Sequence, residues 1–247
     1  MQGYLATPPG PGPHPLMVLV HGGPVFAFRN AWSMGYIFTP LLVGKGYAVL
    51  HPNPRGSAGR GQPFARAVRG DMGGEDTHDI LRGVEMLIEK GVTRRGRIAV
   101  MGRSYGGFMS SWLVTQTDLF SAAVPMAPTT DWLSMHFTSN IPDFDAIFLD
   151  DDLHNLAGRY YSRSPVMFAE SVRTPTLNIA GGLDRCTPPT QALEFHRALV
   201  ENGVASECVI YPEEGHHVLR HESQVDLCTR ILAWLDRHLE KGPDHAL

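Results

Sequence analysis

The chain has 247 residues, enough to bury a sizeable core, and 43% hydrophobic against 19% charged residues is the balance of a soluble globular protein. A formal net charge of −4 gives no sign of the clustered Lys and Arg that a nucleic-acid surface needs. The three cysteines, Cys186, Cys208 and Cys228, are odd in number and lack C-x-x-C spacing, which argues against a disulfide framework or zinc site and for free thiols in a reducing compartment.

The opening residues Met1 to Leu5 have no basic n-region and no apolar h-region, so no signal peptide is expected. No apolar run approaches the ~18 residues of a membrane span. The expected location is the cytoplasm, with neither membrane nor nucleic acid as partner. Leu16 to Val20 reads as a buried strand that ends in His21-Gly22-Gly23-Pro24. Tyr47 to His51 is the next strand, followed by Asn53-Pro54-Arg55-Gly56-Ser57 and by a Gly-rich loop with a short helix to Gly74. Glu75 to Lys90 is an amphipathic helix, with Ile80, Val84, Leu87 and Ile88 on one face and Gly91 closing its end.

Arg97 to Met101 is a strand that runs into Gly102-Arg103-Ser104-Tyr105-Gly106, and a helix follows to about Thr117. Ser121 to Ala127 is another strand. The stretch 131–165 breaks the pattern, mixing aromatics, acids and His, and reads as an excursion over the top of the sheet. Thr176 to Ala180 and Glu207 to Tyr211 are strands, and Pro188 to Asn202 and Ser223 to Leu239 are helices. Strands alternating with helices predict an α/β fold, a mostly parallel sheet with helices on both faces, and the Gly102-Arg103-Ser104-Tyr105-Gly106 turn between strand and helix makes the α/β-hydrolase type the expectation. No repeat or linker divides 1–247, so a single catalytic domain is expected.

A G-x-S-x-G pattern is weak alone. Here it sits between a buried strand and a helix, the sharp turn that holds a serine out in a strained conformation. Ser104 is therefore the candidate nucleophile. A serine hydroxyl needs a base, and the base an orienting acid, in the chain order Ser, acid, His. Asp184 and His216 follow later strand ends in that order. Asp131 is a rival acid, read more naturally as a cap before Trp132. His217 is a rival base, disfavoured because His216 follows the flexible Gly215 directly. A metal cluster of His216, His217 and His221 matches no familiar ligand spacing, so neither metal nor other cofactor is expected. An oxyanion hole needs two backbone N–H groups. Tyr105, after the nucleophile, and Gly23, in the loop after the first buried strand, are the candidates. His21 reads as structural.

Five motifs together resemble the catalytic domain of the prolyl oligopeptidase family, and within it the acylaminoacyl peptidases. They are His21-Gly22-Gly23-Pro24, Asn53-Pro54-Arg55-Gly56-Ser57, Gly70-Asp71-Met72-Gly73-Gly74, Gly102-Arg103-Ser104-Tyr105-Gly106-Gly107-Phe108 and Tyr211-Pro212-Glu213-Glu214-Gly215-His216. Thr174-Pro175-Thr176-Leu177 and Asp184-Arg185-Cys186-Thr187-Pro188 also fit that branch. The resemblance implies the triad Ser104, Asp184 and His216, with oxyanion donors at Tyr105 and Gly23. Members of the family usually carry a β-propeller before this domain. The sequence opens almost at the first strands, which predicts an open site and argues against aminodipeptidase activity. Cys186 stands where acylaminoacyl peptidases often carry an arginine, and His217 where a glycine is common.

The function expected is hydrolysis of small acyl or peptide substrates through an acyl-enzyme. The rivals are a carboxylesterase without useful peptidase activity and an inactive hydrolase fold used as a binding module. Trp132, Phe137, Phe144, Ile147 and Phe148 in the excursion are candidate walls of an apolar substrate pocket. Were they exposed instead, they would favour self-association into a homo-oligomer.

Overall fold

The computed structural model describes residues 2–31 and 37–239. Its centre is a seven-stranded sheet in the order β1-β3-β2-β4-β5-β6-β7. The strands are β1 (Gln2–Ala6), β2 (Leu16–Val20), β3 (Ala48–Asn53), β4 (Ile98–Ser104), β5 (Ala122–Pro128), β6 (Thr176–Gly181) and β7 (Ser206–Tyr211). All neighbours pair in parallel except β1, which lies antiparallel on the outer edge of β3. The sheet matches the α/β-hydrolase expectation, and most strand ends fall within a residue or two of those read from the sequence. The sequence pattern does not reveal the edge strand β1. Its pattern is mostly exposed, so it lacks the apolar run that betrays a central strand.

Strand residues alternate between two cores, because successive side chains point to opposite faces. Leu16, Val18 and Val20 of β2 face one core together with helices α3 (Glu75–Glu89), α4 (Tyr105–Gln116) and α8 (Pro189–Glu201). Met17 and Leu19 face the other, beneath α1 (Phe38–Gly44) and α9 (His221–His238). A short α2 (Gln62–Arg66) lies in the Gly-rich loop. On α3, Ile80, Val84 and Leu87 are buried, and Gly91 at φ 70° closes the helix in a Schellman motif, with its N–H on the Ile88 carbonyl and that of Val92 on Leu87.

The excursion is helical in pieces: α5 (Trp132–Thr138), α6 (Phe144–Leu149), α7 (Arg159–Ser162) and a 3₁₀ turn at Pro165–Ser171. These pieces are too short for periodicity to reveal them. Asp131 caps α5, accepting from the N–H groups of Leu133 and Ser134. Ser139 donates to the carbonyl of Cys186 and the Asn140 N–H to that of Arg185, so the end of α5 is tied to the loop after β6.

The sequence order reverses at β2. The chain runs outward to β3, then returns to place β4 on the other side of β2. Open parallel sheets bind their ligands at such a switch point, outside the carboxyl ends of the strands. The first turn of α4 packs directly against this edge. A Cβ at Gly106 would lie 2.2 Å from the Val20 carbonyl oxygen, and one at Gly107 would lie 2.4 Å from that of Met126. Both obstacles are backbone and cannot swing aside. Gly107→Ala is therefore expected to cost about 3 kcal/mol or more of stability, by forcing α4 off the sheet. Urea denaturation checks this, and a loss below about 1 kcal/mol would show that α4 does not depend on this approach.

Candidate active site

Ser104 closes β4 and precedes α4, with φ 63° and ψ −122°. Positive φ in a residue with a Cβ costs on the order of 1–3 kcal/mol and persists only when its surroundings impose it. Here the glycine contacts around it leave no relaxed alternative. The loop after β2 runs alongside: a Cβ at Gly22 would sit 3.6 Å from the Cβ of Ser104. Gly23 has φ 126°, and a Cβ there would lie 2.6 Å from the N of Val25. The candidate oxyanion loop thus passes within van der Waals reach of Ser104.

His21 is buried beside this loop. Its Nε2 lies 2.9 Å from Ser57 Oγ and its Nδ1 2.7 Å from the Gly22 carbonyl. Burial pushes its pKa down to about 4, partly opposed by the bond to Gly22, so the ring is neutral at pH 7. A neutral, doubly bonded imidazole holds the loop in place.

Asp184 and His216 meet at the same edge of the sheet. His216 Nδ1 lies 2.8 Å from Asp184 Oδ2. A carboxylate can only accept, so Nδ1 carries the proton, and in the neutral ring that leaves the lone pair on Nε2. Asp184 is 4% exposed and fully bonded. Its Oδ1 accepts from the backbone N–H groups of Cys186 and Thr187, and its Oδ2 also accepts from the Thr187 hydroxyl. Burial raises its pKa, but the bond and charge of His216 and the Thr187 contacts outweigh that and hold the carboxyl below its usual value. Thr187 Oγ1 also lies 3.2 Å from His216 Nδ1. Nothing in the sequence marks Thr187 for this contact.

His217 is exposed, and its ring lies 5.6 Å from that of His216. Asp184 bonds to His216, and His217 does not share that contact. Burial, and then the charges of Arg103 and His216, lower the pKa of His217. Among the described residues no three His, Cys, Asp or Glu side chains converge as a metal site would require.

Of the five pocket candidates, Trp132, Phe144 and Phe148 pack together, and Phe137 and Ile147 stand apart in solvent. Trp132 is 1% exposed and packs in the core between Phe108 and Phe144. Phe144 and Phe148 are half-buried neighbours at 4.7 Å, whereas Phe137 and Ile147 are 69% and 53% exposed. None of the five lines the cavity of about 440 Å³ beside His216. That cavity lies on the α1/α9 side, walled by Phe38, Arg103, Met126, Ile179 and Leu227.

A second buried carboxylate lies beneath the elbow. Asp76, in the first turn of α3, is 1% exposed. Its Oδ2 accepts from the Tyr105 hydroxyl at 2.7 Å and from Gly73 N–H, and its Oδ1 from Thr77 N–H. An acid in a first helical turn ordinarily reads as a solvent-facing complement to the helix dipole, so nothing in the sequence marked this one as buried. Burial raises its pKa to about 6 from an ordinary 3.8, against the opposing effect of its hydrogen bonds. The folded chain therefore holds a proton at Asp76 that the unfolded chain has already lost, and stability falls as pH rises through that window. In urea titrations the stability of wild type relative to Asp76→Asn should fall between about pH 4 and pH 6, by at most about 1.4 kcal/mol per pH unit. A flat or rising difference would contradict the raised pKa.

Residues 32–242 match the prolyl oligopeptidase family. The chain is 36% identical to the uncharacterized peptidase YuxL of Bacillus subtilis, over 97% of this chain and 37% of that protein. It is 32% identical to the human acylamino-acid-releasing enzyme, over 94% of this chain and 32% of that protein. The Pyrococcus horikoshii acylaminoacyl peptidase structure superposes with a TM-score of 0.90 at 31% identity, covering 98% of this chain and 40% of that one. The chain thus spans about a third of the length of the curated relatives it matches. With a match over most of its length, the chain belongs to the prolyl oligopeptidase family.

Proposed function

We propose that this chain is a serine hydrolase that cleaves small acyl substrates, namely short peptides, N-acylated amino acids or their esters, through an acyl-enzyme. The observation that carries the reading is the bond from His216 Nδ1 to the buried Asp184, at the same sheet edge as a serine held at positive φ. Fixing the proton on Nδ1 leaves Nε2 as the base. In this mechanism Nε2 takes the hydroxyl proton of Ser104 as Oγ attacks the substrate carbonyl carbon. The N–H groups of Tyr105 and Gly23 stabilise the oxyanion. His216 then gives the proton to the leaving group, and water activated in the same way releases the acid and restores Ser104. Asp184 stays ionised throughout, which its lowered pKa supports.

Similarity to acylamino-acid-releasing enzymes supports acylated amino acids or peptides as the acyl donors. Esters require less leaving-group assistance than amides, so esterase activity belongs to the same reading. The half-buried free thiols of Cys186, Cys208 and Cys228 support a reducing, cytoplasmic setting. No described helix is long and apolar enough to cross a membrane.

Ser104→Ala and His216→Ala should each lower kcat by several decades on a p-nitrophenyl ester, and His217→Ala far less, because members of a triad act as a unit. Asp184→Asn should also fall steeply through loss of the productive tautomer. A Ser104→Ala protein that kept a tenth of the activity would remove the nucleophile, and equal losses at both histidines would leave the base unassigned. The ratio of anilide to ester rates on the same acyl group separates a peptidase from a carboxylesterase.

Phe144 and Phe148 are half-buried neighbours in the excursion, and as the surviving apolar pair they are our candidates for acyl-chain contact, although neither lines the cavity at His216. Phe144→Ala or Phe148→Ala should shift the preference between short and long acyl esters. If both keep the wild-type profile while only melting temperature or oligomer size changes, these rings serve packing or self-association instead.

A further inference from the structure

The Tyr105 side chain has no chemical task in the mechanism, which uses only its N–H. Yet its ring is 3% exposed and fixed along its whole length. His21 and Phe108 lie against it at 6.1 and 6.2 Å, and its hydroxyl ends on Asp76. Asp76 is costly to keep there. No cation among the described residues offsets its charge, and the neighbouring Asp71 adds to the strain on it. A buried carboxylate without a counter-ion is unfavourable unless hydrogen bonds compensate, and an apolar side chain would fill the same space more cheaply. Asp76 instead collects three donors, two of them backbone groups of its own turn, which leaves Tyr105 as the one distant group it holds.

The same turn grips α4 a second time. The Gly73 carbonyl accepts from Trp112 Nε1 at 2.8 Å, two turns along α4 from Tyr105. It also accepts from Arg163 Nη1 at 2.5 Å, and Arg163 Nη2 reaches Asp71 at 3.3 Å. The start of α3 is thus a bracket on the start of α4, closed from the excursion side by Arg163. The direction of the Tyr105 N–H is set by the peptide plane between Ser104 and Tyr105. That plane lies at the strained residue, whose backbone is held by its surroundings and not by its own preference, so each contact on Tyr105 helps fix it.

We propose that Asp76 is a positioning residue that acts through the Tyr105 hydroxyl to hold the Tyr105 N–H on the developing oxyanion. The proposal rests on the serine-hydrolase reading above. It explains why a tyrosine stands at this position and why its partner is a carboxylate. A carboxylate oxygen accepts from Tyr105 and Gly73 at once. An amide has one acceptor oxygen for donors on two sides, so in Asp76→Asn its nitrogen faces either the Thr77 N–H or the Tyr105 and Gly73 donors, and the turn must shift in either case.

The test uses the full chain with Tyr105→Phe, Asp76→Asn and the double variant, assayed on p-nitrophenyl acetate. Tyr105→Phe keeps the ring and its packing and removes only the hydroxyl, so it answers the question even where Asp76→Asn folds poorly. Each single change should lower kcat about tenfold with KM within about twofold, a fraction of what losing an oxyanion donor outright costs. The double variant should be no slower than the slower single one, since both break one link. Affinity for a trifluoromethyl ketone, which forms an oxyanion adduct with Ser104, should fall in parallel with kcat/KM. A purely structural role would lower the melting temperature without that parallel. A folded Tyr105→Phe at the wild-type rate, or losses that multiply in the double variant, would overturn the proposal. If Ser104→Ala is inactive in the same assay, such a result sinks this inference alone. If Ser104→Ala is active, the hydrolase reading itself has failed.

Discussion

Everything at this edge of the molecule depends on how closely α4 approaches β2. The helix begins one residue after the strand ends, so the turn has no slack. Its first residues touch backbone, with Gly106 against the carbonyl of Val20 and Gly107 against that of Met126. That contact imposes the positive φ of Ser104 and brings the His21–Pro24 loop alongside it. The strain at one residue is small against the burial of α4, whose face carries Phe108, Met109, Trp112 and Leu113 into the core. The apolar packing of a whole helix thereby holds one serine in a conformation it would not adopt alone.

Two buried carboxylates support the site, with their pKa values shifted in opposite directions. Asp184 has His216 and three donors from Thr187 and Cys186, and these outweigh its burial and keep it ionised. Asp76 has donors but no cation, and burial prevails. Each environment suits the proposed task. An orienting acid must be charged to stabilise an imidazolium as it forms. An anchor for a tyrosine hydroxyl needs only acceptor oxygens.

What the sequence made legible was local. Ser104 announced itself because strand, glycines and helix are contiguous, and Asp184 and His216 because each follows a strand end in a fixed chain order. The long strands and helices were readable from their periodicity. The short helices of the excursion were not, because four to seven residues do not define a period. Trp132 looked like a pocket wall because nothing in the chain signals that Phe108 and Phe144 enclose it. Asp76 and Thr187 were hidden for a related reason. Their partners lie 29 residues away in the chain, at Tyr105 and His216 respectively, and only the fold brings them together.

The central claim is that Ser104 is a nucleophile activated by His216. Labelling with a fluorophosphonate, followed by peptide mapping, tests it most directly, because the probe reports covalent reactivity without a natural substrate. The wild-type chain should carry one adduct on the peptide containing Ser104. Asp184→Asn should label more slowly at the same residue, and His216→Ala should scarcely label. A wild-type protein that stays unlabelled, or one modified at another serine while Ser104 stays free, would contradict the account.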